Sequence, residues 1–213
     1  MKRRALLTGE PAPRPSASLG PDYYTNAVLR THEGREVRFY DDLMKDKIVA
    51  INFIYTWCEN TCPLSTANMA RVQKALGARV GRDVHMYSFT LKPWQDDVAA
   101  LKEYAKTYGA GPGWEFLTGD NYDLETIRFR LFRWDHPALD FNLEQHVGMV
   151  RIINDRLDRW SMCPTLATTR QVVDAISWVE PTKPLAVRKR ENVATQARID
   201  AETRHLHAIV ARN

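Results

Sequence analysis

The order of hydrophobic and polar positions predicts strands that alternate with helices from Tyr23 onward. Residues Ile48–Tyr55 form an unbroken run of β-branched and aromatic side chains, which is typical of a central strand buried on both faces. The segment Val37–Leu43 predicts a short strand that turns into a helical cap. Shorter apolar runs bounded by turn residues predict three further strands, at Val84–Leu91, Trp114–Gly119 and Val147–Ile153.

Apolar residues at helical spacing fill the intervals between these strands. Gly81 is a stop signal for the first helix, and Pro181 ends the last. The first helix is predicted from the spacing of Leu64, Met69, Val72, Leu76 and Val80. The other three are predicted at Asp96–Tyr108, with Asp residues in its first turn, at Asn121–Phe132 and at Thr168–Val179.

The resulting order, β-α-β-α-β-α-β-β-α, predicts an α/β sandwich with a parallel core and a terminal antiparallel hairpin. We divide the chain into a basic, proline-rich N-terminal segment at 1–21, a globular domain at 22–181 and a basic tail at 182–213. The tail is polar with scattered apolar residues, which predicts either a weakly amphipathic helix or a disordered end.

The formal net charge of +4 over 213 residues belongs to the two ends of the chain. Residues 1–20 contribute +3 and residues 181–213 contribute +4, so the central domain carries −3. Phosphate-binding surfaces need clustered basic residues, so the charge of the domain argues against a nucleic-acid interface across it. The positive charge of the two ends is suited to contact with a membrane surface or a partner.

The first residues resemble part of an export signal. "KRRALL" pairs two arginines with three apolar residues, whereas a secretion signal needs an apolar region of about 7–15 residues. Residues 8–21 have linker composition. We interpret the segment either as a charged disordered terminus or as the remnant of a truncated signal or anchor. The longest apolar stretch, Ile48–Trp57, is about half a membrane span.

Cys58 and Cys62 stand where the buried strand ends and a helix begins. Ligands of open α/β sheets bind at the carboxyl ends of strands, and backbone N–H groups at a helix start stabilise thiolates. Residues i and i+4 share one face of a helical turn. The pair therefore predicts either a disulfide or a clamp on a soft metal ion, Cu(I) or Zn(II). The alternative without chemistry is a structural disulfide or two unreactive thiols.

Two cysteines make an incomplete metal site, and a histidine is the most suitable third ligand. His146 stands immediately before the Val147–Ile153 strand, which places it nearest to the dithiol in such a sandwich. The other five candidates lie in less suitable places: His32 in a surface turn, His85 at a strand start, His136 in a polar loop, and His205 and His207 in the tail.

Five ordered blocks resemble the Sco/SenC family of copper proteins. "INFIYTWCENTCPLSTANM" is similar to the copper-site segment, and the preceding "VLRTHEGREVRFYDDLMKDKIVA", "SFTLKPWQDD", "GWEFLTG" and the late His146 match further blocks. The resemblance covers about Tyr23 to Pro181. It implies a thioredoxin-like three-layer α/β/α sandwich with a mixed sheet, carrying copper, as Cu(I) or Cu(II), on Cys58, Cys62 and His146.

The resemblance also implies a role. The chain would deliver copper, or reducing equivalents, to the CuA centre during cytochrome c oxidase assembly. Its partner would be the oxidase copper subunit or another copper-relay protein, with no nucleic acid involved. Its location would be the periplasm or a membrane surface facing the periplasm. Three departures stand out: the short N-terminal segment, Asp96-Asp97-Val98 where the family has Asp-Thr-Pro, and "NDRLDRW" in place of a glycine-containing turn.

Three alternatives remain open from the sequence. Cys58 and Cys62 could instead serve a thiol-disulfide oxidoreductase or thiol peroxidase, as a redox dithiol beside or in place of a metal carrier. Cys163 is either a small buried side chain or a redox partner of that dithiol, as its position in an exit loop suggests. The segment Arg130–Trp134 is either an ordinary solvated helix surface or a binding surface.

Overall fold

The computed structural model describes residues 20–132 and 148–210. Its sheet has seven strands: β1 Val28–Thr31, β2 Glu36–Arg38, β3 Ile48–Ile54, β4 His85–Thr90, β5 Trp114–Gly119, β6 Met149–Asn154 and β7 Arg159–Pro164. Its α-helices are α1 Pro21–Tyr24, α2 Thr61–Leu76, α3 Val98–Thr107, α4 Asn121–Phe132, α5 Thr169–Val179 and α6 Leu185–Val210. A π-helix follows β2 at Phe39–Met44, and 3₁₀ turns lie at Gly77–Arg79 and Asp155–Leu157.

The strands form one mixed sheet in the order β2-β1-β5-β4-β3-β6-β7. Strands β3, β4 and β5 are parallel, as βαβ crossovers require. The chain turns back after α4, so that β6 pairs antiparallel with β3 and β7 forms a hairpin with β6. The predicted parallel core and terminal hairpin are therefore confirmed. β3 lies inside the sheet and is buried on both faces, as its apolar run predicts.

Helices cover both faces of this sheet. On one face α2 and α3 meet through a hydrogen bond between the hydroxyl groups of Thr66 and Tyr104, 3.0 Å apart. On the other face the ring of Phe132 in α4 packs edge-on against Phe53 of β3. The fold is thus an α/β/α sandwich with a mixed sheet, which confirms the expected fold class.

The structure differs from the predicted elements at the end of α2 and at β1. Helix α2 ends at Leu76, because Gly77 adopts φ +58°, and the predicted stop at Gly81 comes one 3₁₀ turn later. Val80 is therefore outside the helix, and Leu64 is 63% exposed although its spacing predicted an inward position. Strand β1 was not predicted from the sequence, because four residues with two buried side chains give a weak alternating signal.

The part of the tail that the structure describes forms the long helix α6. Among the described residues, no helix is long and apolar enough to cross a membrane.

Candidate metal centre

The two cysteines of the predicted site lie just beyond the carboxyl end of β3. The backbone N–H of Cys58 donates to the carbonyl oxygen of Tyr55, 3.3 Å away, and this bond closes the turn that follows the strand. Helix α2 then begins at Thr61, so Cys62 lies in its first turn. The chain thus places both thiols at the edge of the sheet where ligands of open α/β folds bind.

The thiols are close enough to interact directly. The backbone N–H of Cys62 donates to Sγ of Cys58 at 3.4 Å. No side chain caps the N-terminus of α2, so this sulfur accepts one of the N–H groups that a helix start leaves free. Both cysteines are unpaired, with Cys58 8% and Cys62 0% exposed. A reduced dithiol therefore lies at a helix N-terminus with little access for water.

The two thiols have opposite electrostatic character. Burial raises the pKa of Cys58, but hydrogen bonds from Cys62, Tyr55 and the Asn60 backbone outweigh that effect and lower the pKa from its ordinary value. Burial and the hydrogen bond to Cys58 raise the pKa of Cys62 to about 12. Cys58 is thus the thiol that ionises first, and Cys62 is the proton donor that stabilises its thiolate.

A buried carboxylate supports the turn that carries Cys58. Asp96 accepts hydrogen bonds from the backbone N–H of Thr56, at 3.2 and 3.3 Å, and from its hydroxyl group at 2.5 Å. It also accepts a 2.5 Å bond from the hydroxyl group of Thr90, the last residue of β4. The loop after β4 is thereby attached to the residue that stands two positions before Cys58.

The hydrogen bonds of Asp96 to Thr56 and Thr90 were not predicted, and Asp96 was wrongly placed in the following helix. The predicted helix at Asp96–Tyr108 begins at Val98, and Asp97 is its N-cap through a 2.8 Å bond from the backbone N–H of Ala100. Asp96 lies outside the helix and is completely buried. Two consecutive Asp residues were a usable signal. A helix start needs only one N-cap, so the other Asp was free for a different role.

The start of β6 is attached to the cysteine helix. The backbone N–H of Thr165 donates to the carbonyl oxygen of Gly148 at 2.7 Å, and its hydroxyl group lies 2.7 Å from that of Ser65 in α2. Because β6 is antiparallel to β3, its first residues lie beside the carboxyl end of β3. His146 itself lies outside the described residues, so the structure leaves its predicted role untested.

The other histidines occupy separate places. His32 lies in the turn between β1 and β2, as expected, but it is half-buried, and its Nδ1 accepts the backbone N–H of Phe116 at 3.1 Å. His85 opens β4, at the end of the sheet away from the dithiol. His205 and His207 are exposed on α6, and His136 is not among the described residues. Within 20–132 and 148–210, no three His, Cys, Asp or Glu side chains form a group that could hold a metal ion.

Cys163 lies within strand β7, and the exit-loop position expected for it is wrong. Its residue is 7% exposed and pairs with Val150 of β6. Burial raises the pKa of its thiol, so Cys163 is less readily ionised than a free cysteine. These observations favour the interpretation of Cys163 as a small buried side chain.

The described part of the Arg130–Trp134 segment is occupied by contacts within the fold. Arg130 donates to the carbonyl oxygen of Asp22 at 2.8 Å and also to that of Tyr23. Leu131 and Phe132 are buried, and residues 133 and 134 lie outside the described residues. These contacts favour a structural role over a binding surface.

Comparison with known proteins gives one family match. The family model described as SCO1/SenC matches residues 18–179. Among curated proteins, the SCO1 protein homolog of Bacillus subtilis (strain 168) is 32% identical over 108 residues, which are 50% of this chain and 54% of that protein. The chain thus spans about half the length of this curated relative.

Solved structures share the fold at lower identity. Yeast Sco1 with copper bound has a TM-score of 0.59 and 18% identity, over 80% of this chain and 98% of that one. BsSco has a TM-score of 0.57 and 22% identity, over 80% of this chain and 95% of that one. It is described as a member of the Sco family of cytochrome c oxidase assembly proteins, and a disulfide switch was identified in it. A SCO1/SenC family lipoprotein from Bacillus anthracis str. Ames has a TM-score of 0.57 and 21% identity, over 72% and 92%.

Proposed function

This chain belongs to the SCO1/SenC family, and on that premise we propose that it is a copper-binding metallochaperone for assembly of the CuA centre of cytochrome c oxidase. The observation that carries the proposal is the reduced Cys58–Cys62 pair, with the Cys62 N–H 3.4 Å from the Cys58 sulfur, at the carboxyl end of β3. Soft thiolate ligands select Cu(I) over the harder divalent ions. Yeast Sco1, which shares this fold, has been solved with copper bound.

We propose that Cys58, Cys62 and His146 hold the copper ion. Two thiolates and one imidazole suit Cu(I), and an imidazole also tolerates Cu(II). The contacts from Gly148 through Thr165 to Ser65 support the inclusion of His146, because they bring the chain two residues after it against the helix that carries Cys62. Three protein ligands leave a coordination position to which a ligand of the recipient protein can bind before the copper leaves.

Copper binding on this site is linked to the redox state of the dithiol. Both thiols must be reduced and deprotonated before they can hold the metal, so binding releases protons. Ionisation of Cys58 is favoured by its hydrogen bonds, whereas Cys62 needs the metal charge to lose its proton. Oxidation to a Cys58–Cys62 disulfide would abolish binding.

The test is Cu(I) binding by the full chain, measured anaerobically by competition with a chromophoric chelator. We expect one copper per chain, with affinity reduced about 100-fold or more in Cys58→Ser and Cys62→Ser and by a smaller factor in His146→Ala. Cys163→Ser and His205→Ala are the matched controls and should bind as the unmodified protein does. Unchanged affinity in all three site variants would refute the proposal.

A thiol-disulfide oxidoreductase or thiol peroxidase is the second candidate, because Cys58 has a lowered pKa and a neighbouring thiol to complete the exchange. The Cys58 thiolate would attack a substrate disulfide and displace one thiolate. Cys62 would then displace the second, leaving a Cys58–Cys62 disulfide and two substrate thiols. Turnover in a disulfide-reduction or peroxide assay that survives His146→Ala would favour this activity, since a carrier of copper needs the imidazole.

Partners and location follow from the same premise. We propose that the recipient is the oxidase copper subunit or another copper-relay protein, since BsSco is described among the oxidase assembly proteins. We also propose a location in the periplasm or at a membrane surface that faces it. The lipoprotein from Bacillus anthracis supports membrane attachment within the family. The basic ends of the chain would contact the membrane surface.

A further inference from the structure

Asp96 is a fully buried carboxylate that is held by hydrogen bonds. Its residue is 0% exposed, and its hydrogen-bond partners are the N–H and hydroxyl groups of Thr56 and the hydroxyl group of Thr90. Within the described part of the chain, no Lys, Arg or His forms an ion pair with it. Burying a charge is costly unless hydrogen bonds compensate it, so a neutral side chain would be cheaper in an ordinary core position.

The carboxylate joins the ends of two neighbouring parallel strands. Thr90 ends β4, and its hydroxyl oxygen also accepts the backbone N–H of Lys92 at 2.9 Å. The backbone N–H of Asp96 in turn donates to the carbonyl oxygen of Lys92 at 2.9 Å, which folds the loop back on itself. Asp96 is therefore held in place by Thr90 and Lys92 on the β4 side, and from that position it binds Thr56 in the segment that follows β3.

The same loop contacts the two residues from which the cysteine turn starts. Asp96 binds Thr56 at both its backbone and its side chain, and the Lys92 ammonium lies 4.1 Å above the ring of Tyr55. Tyr55 provides the carbonyl oxygen that accepts the Cys58 N–H. A shift of Thr56 would therefore move the Cys58 sulfur relative to the Cys62 N–H that it binds.

We propose that Asp96 is a positioning residue, which through Thr56 holds the Thr56–Cys62 turn in the shape that keeps the two sulfur atoms together. Its effect on copper rests on the proposed function, whereas its effect on the dithiol needs no metal. Preorganised thiols close to a disulfide more readily, and they bind a metal more tightly, than thiols on a loose turn.

The experiment compares Asp96→Asn with the unmodified full chain. The first measurement is the equilibrium of the Cys58–Cys62 dithiol against a glutathione redox buffer. We expect disulfide formation to become about tenfold less favourable, which is about 30 mV toward a more oxidising potential. The second measurement is Cu(I) affinity, which we expect to fall about tenfold. Asp97→Asn is the matched control, because Asp97 is adjacent but caps α3, and it should change neither quantity.

A second variant tests whether the effect passes through Thr56. Thr56→Val removes the hydrogen bond from the Thr56 hydroxyl to Asp96 while keeping the shape of the side chain. If Asp96→Asn does not fold, the same two measurements are made on Thr56→Val. Its effect combined with that of Asp96→Asn should be smaller than the sum of the two. A folded Asp96→Asn protein with unchanged potential would overturn the proposal. If the unmodified chain binds no copper but the potential still shifts, the copper function fails and the positioning role stands.

Discussion

Two thiols only four residues apart ionise very differently in this protein. Cys58 accepts hydrogen bonds at the N-terminus of α2, where unpaired N–H groups and the helix dipole favour a negative charge. Cys62 is fully buried one turn later and donates its proton toward Cys58. This asymmetry suits an ordered reaction in which Cys58 engages copper or a disulfide first and Cys62 completes the step.

The asymmetry predicts which cysteine reacts with iodoacetamide. Because its hydrogen bonds lower the pKa of Cys58 from the ordinary thiol value, its thiolate fraction and its alkylation rate should rise at lower pH than those of a free cysteine. Cys62, with a pKa of about 12, should stay protonated and unlabelled at neutral pH. Peptide mass spectrometry on reduced, metal-free Cys163→Ser protein, from about pH 6 to about pH 10, checks this order. Labelling of Cys62 before Cys58 would contradict it.

The residues of this site differ in how far they can be found from the sequence. Cys58 and Cys62 are four positions apart at a strand–helix junction, so local spacing alone indicates a dithiol. Asp96 contacts Thr56 across 40 residues, and only the pairing of β3 with β4 brings the two together. Residues that act through such tertiary contacts leave no periodic signal in a single sequence.

At the scale of elements, prediction succeeds where one segment defines its own boundaries. Strand β5 and helix α4 have the predicted bounds, because turn residues flank both. The end of α2 was misplaced because Val80 keeps the helical spacing but forms a bridge with Val84 beyond the helix. The apolar spacing shows only that Val80 packs against the core, and a residue in the turn after a helix can do this as well as a residue within the helix.

The turns that lead into β4 and β5 meet at two glycines. Gly113 has φ +83°, and a Cβ atom placed on it would lie 2.3 Å from the backbone nitrogen of Gly81. Backbone atoms cannot yield as a flexible side chain can. This contact sets how closely the two turns approach at the amino end of the parallel strands.

Replacement of Gly113 should therefore be severe. We expect Gly113→Ala to lower the free energy of unfolding by about 3 kcal/mol or more, from the steric clash and the left-handed backbone together. Gly109→Ala is the matched control, because Gly109 has φ +65° but open space around it, and it should cost only about 1–2 kcal/mol. Urea unfolding measures both. Equal losses of unfolding free energy in the two variants would show that the close approach of Gly113 to Gly81 adds no cost.

At the scale of the molecule, helix α6 lies outside the segment 18–179 that matches the family and packs along the cysteine helix α2. The Arg198 guanidinium donates to the carbonyl oxygen of Ala75 at 3.1 Å, and Lys74 forms a 2.7 Å ion pair with Glu202. A cation at the last turn of α2 satisfies a free carbonyl oxygen and complements the helix dipole. The tail thus stabilises the C-terminal end of α2, which is the end farthest from the thiols.

Near its start, α6 carries three basic residues for which the described part of the chain shows no ion pair. Arg188, Lys189 and Arg190 are consecutive and exposed near its start. The domain at 21–180 carries a net charge of −3 and residues 181–213 carry +4, so this cluster belongs to a basic segment that follows a mildly acidic domain. Clustered basic residues attract anionic lipid headgroups, each by about 1 kcal/mol close to the surface. This cluster is therefore the part of the tail best suited to the proposed membrane contact.

The membrane contact predicts a specific loss of vesicle binding. Replacing Arg188, Lys189 and Arg190 by Gln should remove about 3 kcal/mol of attraction, which is a loss of about 100-fold in partitioning onto vesicles that contain phosphatidylserine. Because the attraction is electrostatic, added salt should weaken binding of the unmodified protein in the same direction. Sedimentation of the protein with vesicles measures the bound fraction, and neutral phosphatidylcholine vesicles should bind neither form.

A control of equal charge separates this cluster from the net charge of the protein. Lys45, Lys102 and Lys106 are exposed on the domain, and replacing all three by Gln changes the net charge by the same amount. Binding to anionic vesicles should then fall far less than in the α6 variant, because the cluster itself remains. Equal losses in the two variants would mean that net charge governs the interaction and that α6 has no particular role at the membrane. Copper affinity should be unchanged in both, since the dithiol lies at the other end of α2.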